Sequence, residues 1–234
     1  MFFSLFISLC FIFVFSCAKE GLMKLVVFGS TGGLGQRIVK AAIGAGHSVT
    51  GIARNSEKAS ALFGADITVK IVPSIEKDQY SLIVDAMRNA DCVVEVVDND
   101  NRVGKVELLV KAAEEANIFN FIVCGGAGAL FMNDEKQQRL YEFLGDSIGT
   151  WLKPVTLMHL EAQKIAFESK IPVVAQIAPP GMAAGELTNK LTPGNDITDG
   201  VNSASYEDVA DVIMQSMSCL DTFNRRMIAM TNRK

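Results

Sequence analysis

The sequence predicts an α/β fold in three layers, with a doubly wound, mostly parallel sheet covered by helices on both faces. Apolar runs of strand length alternate with amphipathic segments of helix length through the first half of the chain. The runs recur about every 20 to 25 residues, which leaves room for one right-handed helical crossover between neighbouring parallel strands. The length of 234 residues is enough for one such domain with a full core and too short for two ordinary ones.

Segments of strand length predict the first five strands. The first is a continuous apolar run, as expected for a central parallel strand buried on both faces, and the second contains β-branched residues. These strands are expected at residues 25–28, 48–53, 67–72, 92–97 and 119–124. Apolar residues at helical spacing predict helices at residues 34–45, 55–63, 80–87 and 103–116. Beyond Leu130 the alternation becomes less regular.

The C-terminal part is predicted to contain a helix at residues 154–168, a strand at 173–178 and a last helix at 206–217. Ser205 is expected to cap this last helix, with Asp208 three residues later as its partner. An edge strand is predicted at residues 227–230. The glycine-rich stretch at 185–200 is predicted to be a mobile lid.

Composition excludes two classes of function. The net charge is −4 and no dense run of Lys or Arg occurs, so nucleic-acid binding is not expected. No metal site is expected, because His47 and His159 are the only histidines and neither pairs with a cysteine at ligand spacing. Cys92, Cys124 and Cys219 lie in apolar segments without paired spacing, which favours buried free thiols in a reducing compartment.

Residues 1–22 are treated separately from the domain at 23–234. Residues 2–15 are almost wholly apolar and small residues follow, which resembles the core and cleavage point of a signal peptide. No Lys or Arg precedes this stretch, and it is short for a membrane span. Met23 stands directly before the first strand, so the segment is alternatively an unused upstream extension. A cytoplasmic location is expected, with the secretory pathway as the alternative and no stable membrane span unless the segment is retained.

A glycine-rich motif joins the first predicted strand to the first predicted helix. Gly29, Gly32 and Gly35 follow one another at spacings of three, where the chain must turn tightly and a backbone must approach a phosphate closely. The start of a helix offers free N–H groups and the positive end of its dipole to such a phosphate. The sequence therefore predicts a Rossmann-type NAD(P)-binding domain. Its cofactor loop is expected to comprise Gly29, Ser30, Thr31, Gly32, Gly33, Leu34 and Gly35.

The residue after the second predicted strand bears on the choice between the two nicotinamide cofactors. NAD enzymes usually place an acid there, to bind the ribose 2′-hydroxyl. This chain has Arg54 instead, and the nearest acid is Glu57. A guanidinium suits a 2′-phosphate, through charge-assisted hydrogen bonds. NADP(H) is therefore predicted over NAD(H), and the alternative is that Arg54 is an ordinary surface charge.

Five segments together carry a family resemblance: the glycine loop, Arg54 with Asn55, the glycine turn at 125–128, the loop at 179–181 and the helix start at 205–210. The chain resembles the atypical short-chain dehydrogenase/reductases of the NAD(P)H-binding, NmrA-like group, near flavin reductase/biliverdin reductase B and YwnB-like proteins. The resemblance implies that the nicotinamide lies near Gly125, Gly126 and Pro179.

The chain departs from that wider superfamily at its catalytic residues. The usual Tyr-x-x-x-Lys pair is missing, because Leu160 stands four residues before Lys164. The assisting serine is also missing, with Gly126 or Ala129 in its place. General acid catalysis by the usual residues is therefore not expected. The remaining candidates are His159 and Lys164. His159 is a proton donor or, alternatively, a histidine packed among apolar residues, and Lys164 is a contact to the nicotinamide ribose or, alternatively, part of the exposed face of its helix.

Three functions follow from these observations. The first is a reductase that passes hydride from NADPH to a flavin, quinone or similar flat small molecule, with solvent protons and with Tyr141 or Trp151 stacking on the acceptor. The second is a non-catalytic NADP(H)-sensing regulator of the NmrA-like type, which the missing tyrosine favours. The third, epimerase or dehydratase chemistry, fits least well, because it relies on the tyrosine and on a larger substrate domain.

Overall fold

The computed structural model describes residues 21–233. Its strands are β1 (Lys24–Phe28), β2 (Ser48–Ala53), β3 (Thr68–Ile71), β4 (Cys92–Glu95), β5 (Asn120–Cys124), β6 (Val173–Ile177), β7 (Gly181–Ala183), β8 (Leu191–Gly194), β9 (Ser203–Ser205) and β10 (Arg226–Asn232). Its α-helices are α1 (Gly33–Gly44), α2 (Ser56–Phe63), α3 (Tyr80–Met87), α4 (Arg102–Glu115), α5 (Leu140–Leu144), α6 (Leu152–Phe167) and α7 (Tyr206–Met217).

Eight of these strands form one sheet in the order β3-β2-β1-β4-β5-β6-β10-β8. Neighbouring strands are parallel except β8, which runs antiparallel to β10. The chain moves outward from β1 to β3 and then crosses back to β4, so the strand order reverses between β1 and β4. This is the point at which doubly wound sheets leave a crevice at their carboxyl edge. The predicted α/β class, with a mostly parallel Rossmann-like sheet, is confirmed.

The two faces of the sheet bury separate cores. Strand β1 shows how, because Leu25 and Val27 pack with α1, α2 and α7, whereas Val26 and Phe28 pack with α3, α4 and α6. All four side chains are almost completely buried. A strand buried on both faces needs apolar residues at every position, which explains the continuous apolar run in the sequence.

The last helix begins as predicted. The Oγ of Ser205 accepts a hydrogen bond from the Asp208 N–H at 2.9 Å, and the Asp208 carboxylate accepts one from the Ser205 N–H at 3.4 Å. This reciprocal capping box satisfies two backbone donors at the start of α7. Asp208 also accepts the N–H of Thr188 at 2.8 Å, which ties the preceding loop to the helix.

The C-terminal region differs from the prediction in three ways. The edge-strand prediction for 227–230 is wrong, because β10 lies inside the sheet between β6 and β8. Strand β8 belongs to the stretch expected to be a lid, and its residue Leu191 is buried in the core. Asp196, in the same stretch, accepts the Met227 N–H at 2.7 Å and is thereby fixed to β10. Helix α5 and the small parallel ladder of β7 and β9 were not predicted at all.

The cysteines in the part of the chain that the structure describes are free thiols. Cys92 and Cys124 are free and buried, as predicted, and Cys219 is free and partly buried. Within the part of the chain that the structure describes, no helix is both long and apolar enough to cross a membrane. Cys10, Cys17 and the apolar stretch at residues 2–15 lie outside the described residues.

Candidate cofactor site

A cleft of about 450 Å³ opens at the carboxyl edge of the sheet, beside the point where the strand order reverses. It is bordered by the loops that follow β1, β2, β3 and β4. The residues that line it include Gly29, Thr31, Gly32, Arg54, Lys58, Val96, Val97, Asp98, Asp100, Asn101 and Lys105. The structure thus brings the predicted glycine loop and Arg54 to one cavity.

Two glycines of the loop occupy positions that no larger residue fits. Gly29 has a φ of +82°, and a Cβ there would lie 2.6 Å from the Val96 carbonyl oxygen. A Cβ on Gly35 would lie only 2.1 Å from the Gly29 carbonyl oxygen, so α1 touches the loop backbone directly. The first position needs the left-handed backbone region, and the second needs the close approach of a helix. The cradle is therefore built from backbone and is shaped for a phosphate group.

The side chains of the other loop residues do not cover the N-terminus of α1. The Ser30 side chain is buried and donates to the Ile52 carbonyl oxygen at 2.8 Å, so it faces the interior rather than the cleft. Leu34 is buried beneath the helix start, and Gly33 packs under the ring of Tyr206. Gly32 precedes α1 without a side-chain cap, and the first turn carries no acid. The positive end of this helix is thus available to an anion.

Two cations, Arg54 and Lys58, line the part of the cleft that follows β2, where the adenosine is predicted to lie. The Oδ1 of Asn55 caps α2 by accepting the Lys58 N–H at 2.8 Å, which sets Lys58 in the first turn directly after Arg54. On the other side of the cleft, a hydrogen bond from Lys105 at 2.6 Å is the main cause that lowers the pKa of Asp98. Lys58 was not predicted from the sequence. Its place four residues after Arg54, at the start of a predicted helix, could have indicated a second cation beside Arg54.

Gly125, Gly126 and Pro179 lie together at the carboxyl ends of β5 and β6. The Gly125 N–H bonds to the end of β6, and the Ala127 N–H donates to the Pro179 carbonyl oxygen at 2.8 Å. A Cβ on Gly125 would lie 2.5 Å from the Gln176 amide, so this turn is also packed to its limit. The predicted nicotinamide end is therefore a tight backbone turn.

His159 lies against this turn, on α6. It is 9% exposed, and its Nδ1 is 3.2 Å from where a Cβ on Gly126 would stand. Its Nε2 is 3.1 Å from the Asn99 Oδ1, so the neutral ring donates from Nε2. Burial is the main cause that lowers the pKa of His159 to about 4, and the nearby charge of Arg102 adds to it. At neutral pH the ring is therefore neutral rather than imidazolium, and its remaining N–H is not acidic enough to act as a general acid.

The structure corrects the place of Lys164 in the candidate site. Its side chain is 72% exposed and lies 4.0 Å from the Glu168 carboxylate, on the outer side of α6. The buried residue four positions after His159 is Gln163, which donates to the Gln176 side chain at 2.8 Å. The helix therefore brings His159 and Gln163 to the turn. Lys164 thus lies on the exposed face of its helix, which is the second of the two interpretations that the sequence left open for it.

Of the two aromatic candidates, Trp151 is exposed and Tyr141 is partly buried. Trp151 is 59% exposed and packs against Gly149. The Tyr141 hydroxyl donates to the Glu142 carboxylate at 3.1 Å. Neither ring is fully buried, so both remain accessible to a flat molecule.

A fully buried ion pair lies behind the cleft. The Arg102 Nη2 is 2.7 Å from the Glu95 Oε2, and the two side chains are 2% and 0% exposed. Sequence reasoning missed this pair. The signal was Glu95 itself, because an acid inside an apolar run of a doubly buried strand needs a partner.

Comparison with known proteins agrees with this geometry. The model of the NAD(P)H-binding family matches residues 29–219. This chain belongs to that family. It is also 30% identical over 125 residues to the uncharacterized protein YwnB of Bacillus subtilis (strain 168), a match covering 51% of this chain and 55% of that protein. The chain thus spans about half the length of its curated relative. The predicted resemblance to atypical short-chain reductase-like, NAD(P)H-binding proteins is confirmed.

Solved structures of this NAD(P)H-binding fold superpose closely on the chain. A proposed exported protein from Burkholderia pseudomallei has a TM-score of 0.75 at 24% identity, covering 90% of this chain and 100% of that one. A proposed NADH-flavin reductase from Streptococcus pneumoniae TIGR4 has a TM-score of 0.72 at 20% identity, covering 90% and 100%. The anaerobilin reductase ChuY from Escherichia coli O157:H7 has a TM-score of 0.72 at 17% identity, covering 90% and 98%. At these identities the likeness shows the fold.

The family match means that the cofactor is a nicotinamide dinucleotide, and the glycine cradle fits its pyrophosphate. Among residues 21–233, no three or more His, Cys, Asp or Glu side chains converge on a point where a metal ion could bind.

Proposed function

We propose that this protein is an NADPH-dependent reductase that passes hydride to a flat, readily reduced small molecule such as a flavin or quinone. The observation that carries the proposal is the pair of cations, Arg54 and Lys58, at the adenosine end of a cleft whose other end is an uncapped helix start. The 2′-phosphate distinguishes NADPH from NADH, and it needs cationic partners where NADH needs an acid. The reductases among the structural relatives support the reaction class.

The proposed roles of the residues follow from their positions. The 29–35 loop and the start of α1 hold the pyrophosphate, and Arg54 with Lys58 holds the 2′-phosphate. Gly125, Gly126 and Pro179 border the nicotinamide. The bound cofactor supplies the hydride. His159 orients the reacting groups as a neutral ring. Its pKa of about 4 means that the imidazolium form, which could protonate the acceptor, is not populated at neutral pH. The acceptor therefore takes its proton from solvent.

A second candidate is a non-catalytic NADP(H)-sensing regulator. It is favoured by α6, which turns His159 and Gln163 toward the nicotinamide end where a catalytic tyrosine and lysine would otherwise be expected. Both candidates need the same cofactor, and they differ only in turnover. We propose a cytoplasmic location for either, because cytoplasmic NADPH and free thiols suit the same compartment.

Cofactor choice is tested by titrating the full chain with NADPH and NADH and following fluorescence. Arg54→Ala and Lys58→Ala should each weaken NADPH binding about tenfold or more, because each removes a charge-assisted contact, and should leave NADH binding unchanged. Lys164→Ala is the matched control, since it removes an exposed cation outside the cleft and should change neither affinity. Equal affinity of the unaltered protein for the two cofactors would contradict the proposed preference.

Turnover is tested by following NADPH oxidation with flavin mononucleotide and simple quinones as acceptors. The reductase proposal expects multiple turnovers with at least one of them. Tight NADPH binding without oxidation by any acceptor would overturn it in favour of the regulator.

A further inference from the structure

Strands β4 and β5 separate at their carboxyl ends. They are paired as far as Glu95 and Val123. Beyond that point the Val96 N–H bonds to Phe28 of β1 at 3.0 Å, whereas the Gly125 N–H bonds to Ile177 of β6 at 2.8 Å. The end of β4 thus stays bonded to β1 and the end of β5 stays bonded to β6. The hydrogen-bond ladder between β4 and β5 stops at this point. The backbone groups that face the gap need other partners, because unpaired buried N–H and C=O groups are costly.

The Glu95–Arg102 pair supplies those partners on both sides of the gap. On the β4 side, the Glu95 carboxylate accepts the Val97 N–H at 2.8 Å, and Arg102 donates to the Val97 carbonyl oxygen at 2.9 Å. On the β5 side, the same carboxylate accepts the Cys124 N–H at 3.3 Å, and Arg102 donates to the Cys124 carbonyl oxygen. One ion pair therefore binds the donor and the acceptor of both residues.

Stability alone does not explain a buried ion pair at this place. Removing two charges from water is expensive, and well-packed apolar residues of similar volume often stabilise a protein as much or more. An apolar pair could fill the gap, but it could not bind the four backbone groups of Val97 and Cys124. What the ion pair adds is therefore a fixed separation between the two strand ends.

Both strand ends lead into the proposed cofactor site. The 96–101 loop lines the cleft through Val96, Val97 and Asp98, on the adenosine side. Cys124 leads into the 125–126 turn, at the nicotinamide end. A second polar contact spans the same gap, because Asn99 of the loop bonds to His159 beside the turn. A whole dinucleotide must meet both parts of the site at once, whereas an adenosine fragment meets only the first.

We propose that Glu95 and Arg102 are positioning residues, which hold the 96–101 loop and the 125–126 turn at the one separation that a complete NADPH molecule can bridge. The inference rests on the proposed cofactor function and deepens it. It assigns a role to two residues that do not line the cleft. It also explains why α4 begins with a buried arginine, directly after Asn101 in the left-handed backbone region at a φ of +43°.

The test compares two ligands on the Glu95→Gln/Arg102→Met double variant of the full chain. This variant removes both charges together, so no unpaired buried charge is left. NADPH affinity should fall at least about tenfold, because a small misplacement of one half of a site is costly. Adenosine 2′,5′-bisphosphate meets the adenosine side of the cleft, including the 96–101 loop, but does not reach the 125–126 turn. Its affinity does not depend on the separation of these two parts, so it should stay within about twofold of that of the unaltered protein.

The matched control is Glu107→Gln/Lys111→Met, which removes an exposed ion pair of 2.8 Å from the same helix and should change neither affinity. If the Glu95/Arg102 double variant does not fold, Arg102→Lys replaces it. This variant keeps the positive charge, but a single ammonium cannot reproduce the several contacts of the planar guanidinium. NADPH affinity is therefore again expected to fall more than the affinity for the adenosine fragment.

Two results would overturn the positioning role: unchanged NADPH affinity in a folded variant, or an equal loss for NADPH and the fragment, which indicates general loosening. Failure of the unaltered protein to bind NADPH would instead overturn the proposed function on which the inference rests.

Discussion

Replacing Gly35 by alanine tests the close approach of α1 to the glycine loop. The new Cβ would lie 2.1 Å from the Gly29 carbonyl oxygen and 2.8 Å from its carbon, whereas Cβ contacts under 3.0 Å are essentially never seen. The helix or the loop must therefore move by 0.9 Å or more, the difference between 3.0 and 2.1 Å. Both contacts are to backbone, so no side-chain rotation relieves them. Overpacking of this kind costs about 1–3 kcal/mol.

The displacement should be measurable in both stability and binding. We expect Gly35→Ala to lower the free energy of unfolding by about 2 kcal/mol in urea denaturation. We also expect NADPH to bind about tenfold more weakly or worse in a fluorescence titration, because the N–H groups at the start of α1 move relative to the loop.

Gly44→Ala is the matched control, since Gly44 ends the same helix and a Cβ there meets nothing within 4 Å. Alanine is the better helix former by about 1 kcal/mol in a helix interior, so at this terminal position stability should be unchanged or slightly higher, with unchanged affinity. If both variants unfold at the same urea concentration and bind NADPH equally, the account of Gly35 as a packing glycine is wrong.

Two further predictions concern His159 and Ser205. Because burial lowers the pKa of His159 from 6.5 to about 4, the unfolded chain binds a proton before the folded one as the pH falls through this range. Acidification from pH 7 to 4 should therefore cost up to about 3 kcal/mol of stability through this group, at roughly 1.4 kcal/mol per pKa unit. Urea midpoints should show His159→Gln to be less acid-sensitive, and an identical acid dependence would refute this. Ser205→Ala should lower the free energy of unfolding by about 1 kcal/mol in urea denaturation, because α7 loses its N-terminal cap.

The first five strands and their helices could be predicted because each follows a simple periodic pattern. A doubly buried strand needs a largely apolar run, and the buried parts of β1, β4 and β5 have one, with Glu95 as the polar exception. Strand β8 has no such run: it is only four residues long and contains Pro193 and Gly194, which are typical of loops. Its place depends on pairing with β10, more than thirty residues later. No local pattern carries that information.

The residues of the candidate site also fall into two groups: those that spacing along the chain reveals, and those that only the fold reveals. The glycine loop and Arg54 were visible because their chemistry depends on spacing along the chain. Glu95 and Arg102 were not, since their role depends on where two strands separate in space. The sequence left two interpretations open for Lys164, because one residue of helix phase decides which side chain faces inward, and its exposed position fits the second of them.

The position of β10 inside the sheet has a consequence for how the protein is made. Strand β8 is synthesised before β10, yet it can join the sheet only through β10. Until residues 226–232 have left the ribosome, the outer edge of β6 has no strand beside it and β8 has no strand with which to pair. An open strand edge can pair with another chain. The nascent protein is therefore most exposed to misassociation while β8 has been synthesised and β10 has not.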